Sequence, residues 1–264
     1  MATVNAVLRE LERFAPPEMK MDFDNVGFLA GTGETAVTRI LTALDITEQV
    51  IDEAAEIGAQ LIVSHHPLFF SLKAVTDADP TGRRVVRLLR AGLSAICMHT
   101  NLDAAEGGVN DALAAAVGIQ DAQHLTVDGH RANGEPYCIG REGWLQAPVA
   151  LEDYLPQVQT ALGCAGLRYV SGGKPVHHVA VMGGAGGDDY QLALKKGCDT
   201  YITADVKYHI FLECRAAGLN LIDAGHFNTE NVVVPVLARR LRQAFPDVDV
   251  RISARHGQPE HFFC

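Results

Sequence analysis

The amino-acid sequence predicts an α/β protein in which helices cover both faces of the sheet. Short, continuously apolar segments at 40–44 and 61–63 are typical of strands buried on both faces. Between them, residues 48–57 carry apolar side chains at helical spacing and end at Gly58. A strand, a helix and a second strand in this order indicate a β-α-β unit.

The rest of the chain continues the same alternation. The apolar spacing predicts helices over 4–14, 82–91, 108–117 and 151–162, and strands over 93–98 and 176–182. Residues 122–143 mix turn-forming residues with Tyr137 and Ile139, which predicts turns and a hairpin.

The sequence also repeats itself. Residues 40–68 align without gaps with residues 179–207, and "AGLSAICMHTNLD" (91–103) aligns with "AGLNLIDAGHFNTE" (217–230) across a one-residue gap. The identities are few, so chance similarity between two β-α-β units is the alternative. A duplication predicts mixed sheets in two similar units, 1–125 and 126–264, with a site between them and a C-terminal part able to pack back on the first unit.

Composition narrows the function classes. The 264 residues are 48% apolar and 20% charged, as in globular proteins, and the net charge of -10 disfavours binding to nucleic acid or an anionic membrane. The N-terminus lacks the layout of a signal peptide, and no apolar run reaches the roughly 18 residues needed to span a bilayer. The six cysteines form no Cys-x-x-Cys pair, which indicates reduced thiols. We therefore expect a cytoplasmic protein.

Three short segments crowd histidines and acids directly after predicted strands. They are "SHHP" (64–67), "HTNLD" (99–103) and "HFNTE" (226–230). Since α/β proteins bind ligands beyond the carboxyl ends of parallel strands, these side chains are expected to converge. Together they supply enough ligands for two divalent ions, listed here: His65, His66, Asp103, His226 and Glu230.

The residue types also restrict the metal. Imidazoles with carboxylates suit Zn²⁺, Mn²⁺, Fe²⁺ or Co²⁺ and fit Cu(I) or iron–sulfur clusters poorly. With Asp103 and Glu230 as the only anions, two dications leave a charge of about +2 that a hydroxide or an anionic substrate would balance. A water beside two such ions could lose its proton near neutral pH and act as a nucleophile.

Other residues leave alternatives open. His99 could orient Asp103 or a water rather than bind metal, as residues around a metal site commonly do. His209, close after Asp205 and Lys207, either contacts substrate, supports a metal ligand or is an ordinary surface histidine.

Three backbone features are equally open. The glycine-rich stretch 182–187 follows a strand and either cradles a phosphate or is a tight turn. Asp24 and Asn25 either form a turn or reach the site. Thr229 is predicted to be the N-cap of the helix over 232–241, with Glu230 in the first turn.

Five ordered motifs resemble one known family over nearly the whole chain. These are "DNVGFLAG" (24–31), "SHHPLFF" (64–70), "HTNLDAAEGGVND" (99–111), "TADVKYH" (203–209) and "DAGHFNTE" (223–230). They are similar to the NGG-interacting-factor-like dinuclear metal-centre family, whose bacterial members are often labelled GTP cyclohydrolase 1 type 2 homologues. The resemblance implies the same five metal ligands, two linked α/β units and a toroidal homohexamer. Ala204 departs from the family's usual Gly, which questions how tight that turn is.

Two functions follow as hypotheses. The first is a metal-dependent hydrolase of a nucleotide or another phosphate-containing small molecule, with His99 or His209 handling protons and Asp205 and Lys207 binding substrate. The second is a non-catalytic protein that binds, delivers or senses metal. Substrate-binding groups in addition to the metal ligands would favour the hydrolase over the non-catalytic protein.

Overall fold

A computed structural model gives the fold and describes residues 1–263. Cys264, one of the six cysteines, lies outside the described residues. The helices are α1 (Val4–Phe14), α2 (Glu48–Glu56), α3 (Pro80–Arg90), α4 (Thr100–Ala104), α5 (Val109–Ala116), α6 (Leu151–Leu162), α7 (Tyr190–Lys196), α8 (Tyr208–Ala217), α9 (His226–Asn231) and α10 (Val234–Ala244). Short 3₁₀ turns cover Pro17–Met19 and Gly187–Asp189.

The strands alternate with these helices along the chain. They are β1 (Gly27–Ala30), β2 (Arg39–Ala43), β3 (Leu61–Ser64), β4 (Ser94–Cys97), β5 (Gln120–His124), β6 (Gly129–His130), β7 (Pro136–Tyr137), β8 (Arg141–Val149), β9 (Arg168–Val170), β10 (Val176–Val181), β11 (Thr200–Thr203), β12 (Asn220–Asp223) and β13 (Asp249–Ile252). Helices alternate with strands that form mixed sheets, so the predicted α/β class is confirmed.

The chain divides into two compact units. The first contains Met1–Ala105 and Val233–Gly257, and the second contains Glu106–Val232 and the segment from Gln258 onward. The N-terminal part of the first unit ends at residue 105 rather than at the predicted residue 125, and strand β5 pairs with β8 of the second unit. Strand β13 pairs with β2 of the first unit, where the C-terminal part was expected to be able to pack back.

The first unit is built on a five-stranded sheet in the order β1-β4-β3-β2-β13. Strands β13, β2, β3 and β4 are parallel, and β1 joins antiparallel at one edge. The central strand β3 is buried along its whole length, as its continuous apolar run predicts. Thr47 and Asp79 are the N-caps of helices α2 and α3, and their side chains accept hydrogen bonds from backbone N–H groups of the first turn.

The second unit contains a six-stranded sheet in the order β5-β8-β10-β11-β12-β9. Its strands β10, β11 and β12 pair in parallel, whereas the β5–β8, β8–β10 and β12–β9 pairs are antiparallel. A separate two-stranded hairpin of β6 and β7 lies in the stretch where turns and a hairpin are predicted. Tyr154 of α6 is buried against this sheet and donates a hydrogen bond to the carbonyl of Val117.

The parallel strands of the two sheets share the register of the predicted repeat. Ile40 pairs with Leu61 in the first sheet, and the aligned residues Val179 and Thr200 pair in the second. The same holds one strand further on, where Leu61 pairs with Ser94 and Thr200 pairs with Asn220. An internal duplication stays a prediction, and this equality of register supports its alignment.

Two further findings concern the described residues as a whole. Within 1–263, no helix combines the length and the apolar character needed to cross a membrane. Cys97, Cys138, Cys164, Cys198 and Cys214 are buried and form no disulfide in the described part of the chain. Burial raises the pKa of the Cys214 thiol to about 12, so this side chain stays protonated.

Candidate metal centre

In the first unit, three histidines collect at the carboxyl ends of two neighbouring parallel strands. His65 and His66 directly follow β3, and His99 lies two residues beyond β4. The strands pair so that Ser64 lies opposite Cys97, which brings the residues after them to one edge of the sheet. The ring centroid of His65 lies 5.0 Å from that of His66 and 5.1 Å from that of His99.

His65 is fully buried, and its tautomer follows from one contact. Its Nδ1 lies 2.9 Å from the carbonyl oxygen of Met98. A carbonyl can only accept, so Nδ1 carries the proton and Nε2 presents a lone pair. That Nε2 lies 3.6 Å from Oδ1 of Asp103, a buried carboxylate on α4. The pair therefore offers a nitrogen and an oxygen donor to the same space.

His66 and His99 are held in the same way, but by carboxylates. Nδ1 of His66 lies 2.7 Å from Oδ1 of Asp45, and Nδ1 of His99 lies 2.8 Å from Oδ1 of Asp24. One nitrogen from each of His65, His66 and His99 can be chosen so that all three lie within 4.8 Å of one another. Imidazoles tied through one nitrogen and presenting the other are typical of metal sites.

Asp24 accepts further hydrogen bonds besides its contact with His99. Its side chain is fully buried and accepts hydrogen bonds from the amide of Thr100 at 3.0 Å and from its hydroxyl at 2.5 Å. Burial alone would raise the pKa of Asp24, but the hydrogen bonds from His99 and Thr100 lower it well below its ordinary range. The carboxylate therefore stays ionised beside His99.

The second unit holds a cluster around helix α9. His226 and Glu230 are four residues apart on this helix, so they share one face, and their Nε2 and Oε2 atoms are 3.1 Å apart. Nδ1 of His226 lies 2.8 Å from Oδ2 of Asp205. Burial would lower the pKa of His226, but the carboxylates of Glu230 and Asp205 raise it to about 9. This environment stabilises a positive charge at the imidazole.

The start of α9 corrects one prediction. Thr229 does not cap a following helix, because it lies inside α9, whose N-cap is Gly225. Its hydroxyl lies 3.0 Å from the carbonyl of Gly225 and accepts a hydrogen bond from the amide of Gly184 at 3.0 Å. The separate helix α10 begins only at Val234. Glu230 is thus held in the second turn of a short helix, where it faces His226.

The glycine-rich turn after β10 has a steric role. The amides of Gly183, Gly184 and Gly186 donate to Asn110, Thr229 and Gly184, respectively, within the second unit. These three N–H groups are therefore already used, which disfavours a phosphate cradle. Gly184 has a φ of +66°, and a Cβ there would overlap the carboxylate of Glu230.

In the turn that follows β11, the left-handed backbone lies at Asp205 and not at Ala204, the residue that replaces the family's usual Gly. Asp205 has a φ of 53°, in the left-handed region, while Ala204 is fully buried and outside that region. Alanine at 204 therefore fits the turn. The two remaining candidates of this segment lie differently: Lys207 pairs with Asp188 at 2.6 Å, and His209 is exposed on the first turn of α8.

The donor set fits divalent metal. Each unit offers imidazole Nε2 atoms next to buried carboxylates, and the histidine side chains are fixed through Nδ1. These His and carboxylate clusters can bind a metal of the borderline or hard class. Asp24 was ambiguous in the sequence and Asp45 was missed. Asp45 lies directly after Leu44, just beyond the carboxyl end of β2, so the rule that found the histidines also applies to it.

The fold and the clusters define an α/β protein with a candidate metal centre. The chain belongs to the Duf34/NIF3 (NGG1p interacting factor 3) family, whose model matches residues 2–259. It is 33% identical to the "GTP cyclohydrolase 1 type 2 homolog" of Clostridium perfringens, over 98% of this chain and 99% of that protein. The protein of the same name from Clostridium acetobutylicum is 35% identical, over 89% and 87%.

Solved structures show the same fold. The Bacillus cereus protein related to NIF3 matches with a TM-score of 0.92 and 25% identity, over 100% of this chain and 99% of that one. Staphylococcus aureus protein SA1388 matches with a TM-score of 0.92 and 27% identity, over 99% of both chains. The resemblance drawn from five sequence motifs is therefore confirmed.

Proposed function

We propose that the chain binds two divalent metal ions and hydrolyses a nucleotide or another phosphate-containing small molecule. The ligands would be those predicted from the sequence: His65, His66, Asp103, His226 and Glu230. The observation that carries the proposal is the fixing of each histidine through Nδ1, which leaves Nε2 beside a buried carboxylate in each unit. Family membership and the cyclohydrolase name of the relatives support the nucleotide version.

When bound, such ions polarise a substrate oxygen and lower the pKa of a neighbouring water. The chain itself would handle the proton. His99 suits this role, because the ionised Asp24 at its Nδ1 stabilises the imidazolium that forms when Nε2 takes a proton. His209 stays the alternative proton carrier, from its exposed position on α8.

The two substrate-binding candidates receive different roles. Asp205 would act through His226, since its carboxylate holds that ring at 2.8 Å. Lys207 would have to leave Asp188 to meet a substrate. Both side chains of this surface pair are about 60% exposed, and exposed pairs are worth only about 0–1 kcal/mol. An anionic substrate group could therefore displace Asp188 at little cost.

A second candidate function is a non-catalytic protein that delivers or senses metal. Two observations favour it: the glycine turn has no amide free at 183, 184 or 186, and Lys207 is already paired. The substrate-holding groups that would mark an enzyme are thus fewer than the sequence suggests.

Metal analysis combined with an activity screen tests both. Wild type, His65→Ala and His226→Ala would be purified from metal-replete medium, with His130→Ala, an exposed hairpin residue, as the matched control. We expect about two ions per chain and turnover of some nucleotide or phosphoester by wild type and the control. Both properties should be lost in the two ligand variants. Turnover that persists without metal would refute the hydrolase. Retained metal with no turnover over the panel would favour metal delivery.

We further propose a homohexamer, on the resemblance of the five motifs to the family. Native mass spectrometry should then show six times the chain mass of 28.4 kDa. A monomer or dimer at micromolar concentration would refute it. The cytoplasmic location stays a prediction.

A further inference from the structure

Two large aromatic side chains lie exposed beside the histidines of the first unit. Phe70 comes four residues after His66 and is 54% exposed, and Phe23 precedes Asp24 and is 64% exposed. Exposed single apolar residues are common in proteins. These two differ because they contact each other and adjoin the histidine cluster.

The rings form a continuous row that starts at His99. The Phe70 and His99 centroids are 5.7 Å apart with the rings inclined at 65°, an edge-on contact. The Phe23 and Phe70 centroids are 6.2 Å apart at 48°. Both values lie in the range of favourable aromatic pairs. The row therefore extends from the edge of the candidate metal centre into solvent.

Polar contacts, not burial, hold this row in place. The side-chain amide of Asn25 donates to the carbonyl of Phe69 at 2.8 Å, which joins the segment around Phe23 to the segment around Phe70. Next to it, Asp24 holds His99 at 2.8 Å. The backbone segments that carry the two rings are thus joined next to the histidines, while the rings themselves stay more than half exposed.

We propose that Phe70 and Phe23 form an aromatic platform that stacks the heteroaromatic base of a small-molecule substrate. The inference rests on the proposed function and specifies its substrate class: a heteroaromatic ring on the platform places the attached or fused reacting group toward His65, His66 and His99. Stacking on aromatic side chains is how proteins hold a base without reading its edges. Two rings are too small for a stable protein contact, which takes about 800 Å² per partner.

Two probes of the same charge separate the contribution of the base to binding from that of the sugar and the phosphate. Guanosine 5′-monophosphate and ribose 5-phosphate share the sugar and the phosphate, and only the first has a ring to stack. Their dissociation constants would be measured by isothermal titration calorimetry on metal-loaded wild type, Phe70→Leu, Phe70→Trp and Phe263→Leu. Phe263 is a fully exposed phenylalanine of the C-terminal segment and serves as control. Metal content and sedimentation would be recorded on the same samples.

The platform predicts a selective loss. Phe70→Leu should bind the nucleotide about 10- to 100-fold more weakly, with ribose 5-phosphate unchanged, whereas Phe70→Trp and Phe263→Leu should bind as wild type does. Equal affinity of wild type for the two probes, or an equal loss of both in Phe70→Leu, would overturn the platform. So would a changed oligomeric state in Phe70→Leu with unchanged nucleotide affinity, which would assign the rings to a contact between copies. A wild-type protein that takes up no metal would instead refute the proposed function.

Discussion

The single methyl group that Gly184→Ala adds should disturb the candidate metal centre. Gly184 has a φ of +66°, where L-residues are strained, and its Cβ would overlap the carboxylate of Glu230. Glu230 is 4% exposed and lies 3.1 Å from Nε2 of His226, so it has little room to move. The substitution therefore combines backbone strain with displacement of a candidate ligand.

Gly197 separates the two effects. It also has a left-handed φ, +77°, but nothing lies within 4 Å of a Cβ there. Gly197→Ala should cost the backbone strain alone, about 1–2 kcal/mol. Gly184→Ala should cost that amount plus about 1–3 kcal/mol for overpacking next to a buried carboxylate. The difference between the two variants in the free energy of unfolding should thus be about 1–3 kcal/mol.

Urea unfolding and zinc titration of both purified variants provide the assay. If Glu230 is a metal ligand, Gly184→Ala should also weaken binding of one equivalent of Zn²⁺ by at least about tenfold, while Gly197→Ala binds as wild type does. Equal stability of the two variants would show that Glu230 is not fixed against the glycine turn. Reduced stability with unchanged zinc binding would show that Glu230 is not a ligand.

Two further predictions test the groups around the histidines. Asparagine tolerates the left-handed φ of 53° and keeps an oxygen for Nδ1 of His226, so Asp205→Asn should fold normally. The lost charge should weaken Zn²⁺ binding by about 10-fold, and an unchanged affinity in a calorimetric titration would refute this role. His256 accepts a hydrogen bond from the amide of Leu44 at 3.1 Å, and burial lowers its pKa below that of the unfolded chain. Its stabilising contribution is therefore complete above about pH 6.5 and lost as the pH falls below it, so urea unfolding from pH 7 to 5 should show a steeper loss for wild type than for His256→Asn; parallel curves would contradict it.

The sequence predicted the interior of the fold better than its edges. Strands β2 and β3 read as continuous apolar runs because successive side chains, which point to opposite faces, are nearly all buried. The edge strands β1 and β13 gave no such signal. Strand β13 alternates exposed Asp249 with buried Val250, and β1 begins at a glycine with a φ of 95°. Their pairing partners lie about 70 and 200 residues away in sequence, so no local pattern specifies them.

The candidate site shows the same division between local and distant information. His65 and His66 were found because they follow a buried strand, which is a local signal. The groups that hold them were not, since Asp45 reaches His66 across 21 residues and Asp24 reaches His99 across 75. The prediction for Thr229 was wrong because threonine favours helix N-caps, whereas here its hydroxyl accepts a hydrogen bond from the amide of Gly184 from inside α9. Residue type fixed the candidate donors, and only the fold determines their partners.

The carboxylates that hold the histidines change the net charge expected at the proposed metal site, and with it the expected substrate. Counting Asp103 and Glu230 alone leaves about two positive charges once two dications bind, which favours a strongly anionic substrate. The structure adds the carboxylates of Asp24, Asp45 and Asp205, each within 2.8 Å of a histidine Nδ1. If the proposed ligand set binds two dications, these three carboxylates together with Asp103 and Glu230 would leave about one negative charge, and a polyphosphate would gain little net attraction. Recognition would then depend on groups that carry no charge, such as the exposed rings of Phe23 and Phe70.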